Sequence, residues 1–173
     1  MARLAGFLQG RGAAVQFCRE DQATFSDFQL FPAVLIGGLN DEWALRLMEN
    51  MRFQFRRDGT IFWIADRDRP EWRDWRIEVP DISDGERLQL KRDYAVVSRV
   101  RNGRTGRITI TVAGLWGTGT IAGGKFLTDS GYLREAAKKL PAGWQKRNLQ
   151  FVLGTEVIEG NPGPPQVLYS AVW

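Results

Sequence analysis

Two glycine-rich turns carry the residues whose types and spacing suit chemistry. The first is Gly37-Gly38-Leu39-Asn40-Asp41; the second is Gly114-Leu115-Trp116-Gly117-Thr118-Gly119-Thr120. Each follows a run that reads as a strand and precedes one that reads as a helix. Such a junction presents main-chain N–H groups at a helix N-terminus, a natural seat for a carboxylate or phosphate. In the first turn Gly37 and Gly38 would let the backbone approach a ligand, with Asn40 or Asp41 capping the helix. In the second, Gly114, Gly117 and Gly119 would offer N–H groups around Trp116, and Thr118 and Thr120 would add hydroxyls. The order G-x-x-G-x-G differs from the dinucleotide fingerprint G-x-G-x-x-G, and no Walker lysine follows. The same glycines would equally serve a tight turn and close helix–sheet packing. Asp93 and Tyr94, at the start of another strand, would bring a carboxylate and a phenol to the same crevice.

Absent residue types limit the chemistry further. The chain has no histidine and a single cysteine, Cys18. That removes His-based relays, the common zinc and haem ligand sets, and any internal disulfide. No metal or cofactor is implied. Carboxylate chemistry remains, with Asp93, Asp41 or Glu42 as the acid and Tyr94 as auxiliary, but no nucleophile–base pair stands out.

The elements that must position these groups follow from periodicity. An amphipathic helix opens the chain with Leu4, Phe7 and Leu8 on one face, as though a domain were entered midway behind an upstream region. Residues 13–19 alternate as a strand, which would bury Cys18 as a small apolar filler. Ser26-Asp27 favour a short helix or turn before Pro32. The run 33–37 (AVLIG) predicts a strand buried on both faces, and 41–51 predicts a helix. Strands at 52–56 and 60–65 flank Asp58-Gly59, a hairpin signal. Strands at 94–99 and 107–113 flank a tight return at 102–106. Helices are expected at 120–127 and 131–140, and strands at 149–158 and 166–173. The prolines between the last two should keep that loop out of any ladder.

Composition bounds the whole. With 43% hydrophobic and 25% charged residues in 173, the chain has the makings of one folded core rather than of disorder. No apolar run reaches the ~18 residues of a membrane span and no signal-peptide core is evident, so a soluble, cytoplasmic domain is expected. The net charge of +4 resides in residues 52–107, where thirteen arginines and one lysine meet ten carboxylates. From Arg67 to Glu78 the signs alternate, which reads as a self-paired surface and disfavours nucleic acid as a partner. Trp72 and Trp75 lie within that stretch, either as an exposed contact surface or folded back onto the sheet.

The runs at 32–47 (PAVLIGGLNDEWALRL), 93–100 (DYAVVSRV), 113–128 (AGLWGTGTIAGGKFLT) and 160–165 (GNPGPP) resemble an uncharacterised α/β domain of bacterial regulatory proteins. It lies at their C-terminal end, in some cases behind a winged-helix DNA-binding domain, and the resemblance spans Leu4 to Trp173. The family's first motif carries an Asn pair and Trp-Thr, from which Asp41 and Ala44 depart. The resemblance implies a sensory or interaction module and supplies no catalytic residue.

Together these readings predict a single α/β domain over 1–173. Its architecture would be three-layer, Rossmann-like or flavodoxin-like, with a central mixed, mostly parallel sheet and antiparallel hairpin edges. The expected function is a regulatory ligand-sensing or protein-interaction module. It would bind a small anionic or nucleotide-like molecule at Gly37, Gly38, Asn40, Asp41, Asp93, Tyr94, Gly114, Trp116, Gly117, Thr118, Gly119 and Thr120. The alternatives are a nucleotide- or glycoside-processing enzyme and a structural homo-oligomerisation domain.

Overall fold

The computed structural model describes residues 1–80, 88–103 and 105–173; Arg104, within the expected 102–106 return, lies outside them. The strands are β1 (Ala33–Ile36), β2 (Phe53–Asp58), β3 (Ile61–Asp66), β4 (Arg76–Glu78), β5 (Arg92–Arg101), β6 (Ile108–Gly114), β7 (Leu149–Ile158), β8 (Asn161–Pro162) and β9 (Gln166–Val172). The helices are α1 (Ala2–Gln9), α2 (Phe25–Leu30), α3 (Glu42–Met48), α4 (Gly117–Thr128) and α5 (Ser130–Ala137).

The large sheet runs β1-β6-β5-β7, with β8 and β9 both pairing β7; the small sheet is the meander β2-β3-β4. Only β1 and β6 pair in parallel among the described residues, and the other pairings are antiparallel. The large sheet curls into a half-barrel. Alternation along its strands gives two apolar faces. Ala95, Val97, Val112, Phe151 and Leu153 pack with Phe126 of α4 and Ala136 of α5. Tyr94, Val96, Ala113 and Val152 pack instead with Phe53, Phe55 and Ile64 of the small sheet and Met48 of α3.

This corrects the expected Rossmann-like or flavodoxin-like architecture. The two strand–glycine–helix units suggested a doubly wound, mostly parallel sheet. Instead α3 leads into the β2–β3 hairpin of a separate sheet, while α4 and α5 lead to β7, which runs antiparallel to β5. Neither helix is followed by a strand that pairs in parallel with the one before it: β2 belongs to the other sheet, and β7, although it points the same way as β6, is separated from it by antiparallel β5. A second sheet, rather than a full helical layer, covers one face.

Local departures have local reasons. The β1 strand is half-buried throughout because it forms an edge of the sheet. Residues 13–19 alternate without joining a ladder, so Cys18 is exposed and Phe17 stands 62% exposed. Pro162 does enter a ladder, opposite Val157 at the end of β7. Trp75 is buried and Trp72 stacks on it at 5.7 Å.

A buried side chain of the large sheet bonds directly to the backbone of the small one. Gln150 of β7, fully buried, accepts from the Phe53 N–H and donates to the Phe53 carbonyl, both at 3.0 Å. It satisfies the free edge of β2 as a neighbouring strand would. Gln150→Leu strands both backbone groups, and urea unfolding should show a loss of about 2 kcal/mol.

Candidate functional site

The two glycine turns meet at one rim of the large sheet because β1 and β6 are parallel neighbours. They meet backbone to backbone: a Cβ on Gly38 would collide with the Gly114 carbonyl oxygen. The donors there are taken up by the chain itself. Gly37 N–H donates to the Val112 carbonyl at 3.1 Å, Gly38 N–H to Asn40 Oδ1 at 3.2 Å and Gly114 N–H to Thr120 Oγ1 at 3.0 Å. Asp41 caps α3, its Oδ1 accepting from Ala44 N–H at 2.9 Å, and burial raises its carboxyl from the ordinary value.

Asp93 stands at the centre of the second turn and is fully buried. Its Oδ1 accepts from Tyr94 N–H at 2.7 Å and Trp116 N–H at 3.2 Å. Its Oδ2 accepts from Thr118 Oγ1 at 2.6 Å and Gly119 N–H at 2.5 Å. Trp116 precedes α4 and has no capping side chain of its own. The carboxylate of a neighbouring strand thus does the work of a helix cap and lies where the α4 dipole favours negative charge. Burial pushes the Asp93 carboxyl above its ordinary value, and these hydrogen bonds pull it back. Gly119 is required by the same approach, since a Cβ there would strike the Tyr94 carbonyl oxygen.

The remaining residues of the expected site divide. Tyr94 packs in the core below the small sheet. Gly117 is exposed and Trp116 is 41% exposed. Of the carboxylates weighed for catalysis, Asp93 is enclosed, Asp41 caps α3, and Glu42 pairs with Arg46 at 3.1 Å on the surface.

Two clusters escape the sequence reading. The first surrounds buried Asp66, which takes Arg52 through two 2.8 Å bonds and Arg69 through one of 2.9 Å. The Arg69 guanidinium lies 3.7 Å over the Trp72 ring, and Arg52 lies 4.9 Å over Tyr169. Burial raises the Asp66 carboxyl, but the hydrogen bonds from Arg52 and Arg69 outweigh it and hold the group below its ordinary value.

The second is a cavity of about 220 Å³ between β5, β6, β7 and the α4–α5 side of the sheet. Leu127, Leu133, Leu140, Trp144 and Ile110 line it, and Arg99 is the one charged lining residue among the described residues. Across the sheet Arg99 sits opposite Ile110 on one side and Leu149 on the other, a cation in an apolar row. Its Nη2 donates to the carbonyls of Trp144 at 2.7 Å and Arg147 at 2.6 Å. Among the described residues no carboxylate pairs with it, and Nε and Nη1 have no acceptor. Burial, then the neighbouring Arg101 charge, lowers the Arg99 guanidinium from its ordinary value. Sequence pattern offered one signal, a charge at an inward position of an alternating strand, but not which face the cavity would occupy.

Fold and site together define a strand-rich α/β domain with a filled glycine rim and an arginine-bearing apolar cavity. No family model, curated protein or solved structure matches the chain. Among the described residues no helix is long and apolar enough to cross a membrane.

Proposed function

We propose that this domain is a regulatory ligand-sensing module that binds a small organic anion in the cavity at Arg99. The observation that carries the reading is an arginine in an apolar cavity with no carboxylate partner among the described residues. A half-buried cation gains from a counter-ion, and a mostly apolar hollow with one oriented polar group is the usual form of a small-molecule site. The glycine rim supports the same relocation, because its donors already serve Asp93, Asn40 and Thr120. A ligand bridging the sheet and the Trp144 segment would favour one arrangement of that segment, which is how such a module passes on its state. Likeness to the C-terminal domain of bacterial regulators is in keeping with this role. Thermal-shift measurements against a panel of small organic anions test it: the wild-type chain should be stabilised by at least one and Arg99→Gln by none. A panel without any wild-type response would remove the proposal.

A second reading, self-association, is favoured by Phe17, Phe25, Leu30 and Phe31, each 58–63% exposed within one short stretch. Sedimentation velocity should then show concentration-dependent association that a Phe17, Phe25, Phe31 to Ser triple variant loses. A monodisperse monomer at high concentration would rule it out.

A further inference from the structure

Resting on the Arg99 reading above, we infer that the ligand is an amphipathic monocarboxylate of short chain, its carboxylate on Arg99 and its hydrocarbon body in the cavity. Size is the first argument. An apolar cavity of 150 Å³ accommodates benzene, so the 220 Å³ here suits a body of roughly nine non-hydrogen atoms. A nucleotide is about twice that size and carries a polar ribose and base, for which the lining offers little beyond Ser98 and Arg99 among the described residues. Lining chemistry is the second. Leu127, Leu133 and Leu140 from the helical side face Val97, Ile110 and Phe151 from the sheet, so the body must be hydrocarbon. Charge is the third. Among the described residues one cation lines the cavity, so one negative charge balances it, whereas a phosphate dianion would bring a second charge into apolar surroundings.

The placement also fits the hydrogen-bond inventory. Nη2 of Arg99 is committed to two carbonyls, which fixes the guanidinium against the Trp144 segment. Nη1 and Nε keep their donors, and a carboxylate accepting from them forms a charge-assisted bond. The Trp144 ring, 5.4 Å from the Arg99 guanidinium carbon, flanks the same end of the cavity. A chain of about eight carbons would run from that end toward Leu133 and Leu127.

Calorimetric titration of the full chain with octanoate, hexanoate, octan-1-ol, AMP and inorganic phosphate decides the matter. Octanoate and hexanoate should bind, and octanol should bind at least ~10-fold more weakly than octanoate, the worth of one charge-assisted bond. Arg99→Gln should weaken octanoate by a similar factor. Ala137→Leu, which takes up part of the cavity without altering Arg99, should weaken octanoate binding while leaving the circular dichroism spectrum unchanged. Octanol binding as well as octanoate would overturn the monocarboxylate assignment. Arg99-dependent binding of AMP or phosphate without octanoate would overturn the ligand class while sparing the anion site. Silence from every probe would remove both.

Discussion

Asp93→Ala should lower the unfolding free energy by about 4 kcal/mol, the largest loss expected of any single truncation at the glycine rim. Four donors converge on that carboxylate: the N–H groups of Tyr94, Trp116 and Gly119 and the Thr118 hydroxyl. Each buried donor left without an acceptor costs about 1–3 kcal/mol, and the side chain is fully enclosed, so water does not simply replace it. Asp93→Asn is the discriminating control. Its single oxygen still serves Tyr94 and Trp116 and Thr118 can rotate, but its amide confronts the Gly119 N–H. The loss should therefore be intermediate, about 2 kcal/mol. In thermal melts the alanine variant should fall by roughly 8–16 °C, given a domain of this length. Formate, an anion small enough for the space vacated, should recover part of that loss where equal chloride does not. Equal stability of wild type and Asp93→Ala would sink the claim that α4 is capped from β5.

That cap explains why the glycine turn looked like a ligand site. The spacing of Gly114, Gly117 and Gly119 correctly signals close backbone approach at a helix N-terminus, but whether the approaching group belongs to the chain or to a ligand is not written in the turn. Asp93 lies more than twenty residues earlier, and only the antiparallel pairing of β5 with β6 brings it there. Elements with local determinants are legible: the hairpin expected at Asp58-Gly59 forms one residue along, Asp58 pairing with Ile61 around a Gly59-Thr60 turn, and Asp41 caps α3. Those that depend on a distant partner are not. Residues 13–19 have the alternation of a strand but no neighbour to pair with. The β4 strand, three residues in a charged stretch, forms because β3 offers an edge to it. Gln150 reads as an ordinary polar position of a strand, and its partner Phe53 is 97 residues away. The sheet order is illegible for the same reason, because a strand–loop–helix unit does not say which sheet its next strand joins or whether another strand comes between.

The charged stretch from Arg67 to Glu78 shows how tertiary contact sorts residues that look alike in sequence. Asp66 and Asp68 both lie among arginines, yet one is buried with two guanidiniums and the other is 63% exposed, touching Arg52 at 2.9 Å. The buried carboxylate fixes both arginines, and they in turn lie over Trp72 and Tyr169, joining the 66–69 turn to β9. The alternation of sign is therefore a surface of unequal members. Most are solvated and contribute little, while one bidentate pair is structural.

Asp66→Asn should then cost about 3 kcal/mol at pH 7, toward the lower end of what removing one partner of a buried ion pair costs, because Arg52 and Arg69 are 24% and 27% exposed and partly hydrated. The loss should depend on pH in a stated direction. The folded state holds the Asp66 carboxyl below its ordinary value, so its contribution is fully present above the unfolded value of about 3.9 and disappears as pH falls through the folded one. Wild type should lose this increment on acidification, whereas the asparagine variant has none to lose. Urea midpoints measured at pH 7, 5 and 3 should show a constant gap between the two proteins at the first two and a narrower gap at the third. Asp68→Asn, the exposed neighbour, should shift the midpoint little at any of the three. A gap between wild type and Asp66→Asn that widens on acidification would mean that the carboxyl is destabilised by its burial rather than held ionised by Arg52 and Arg69.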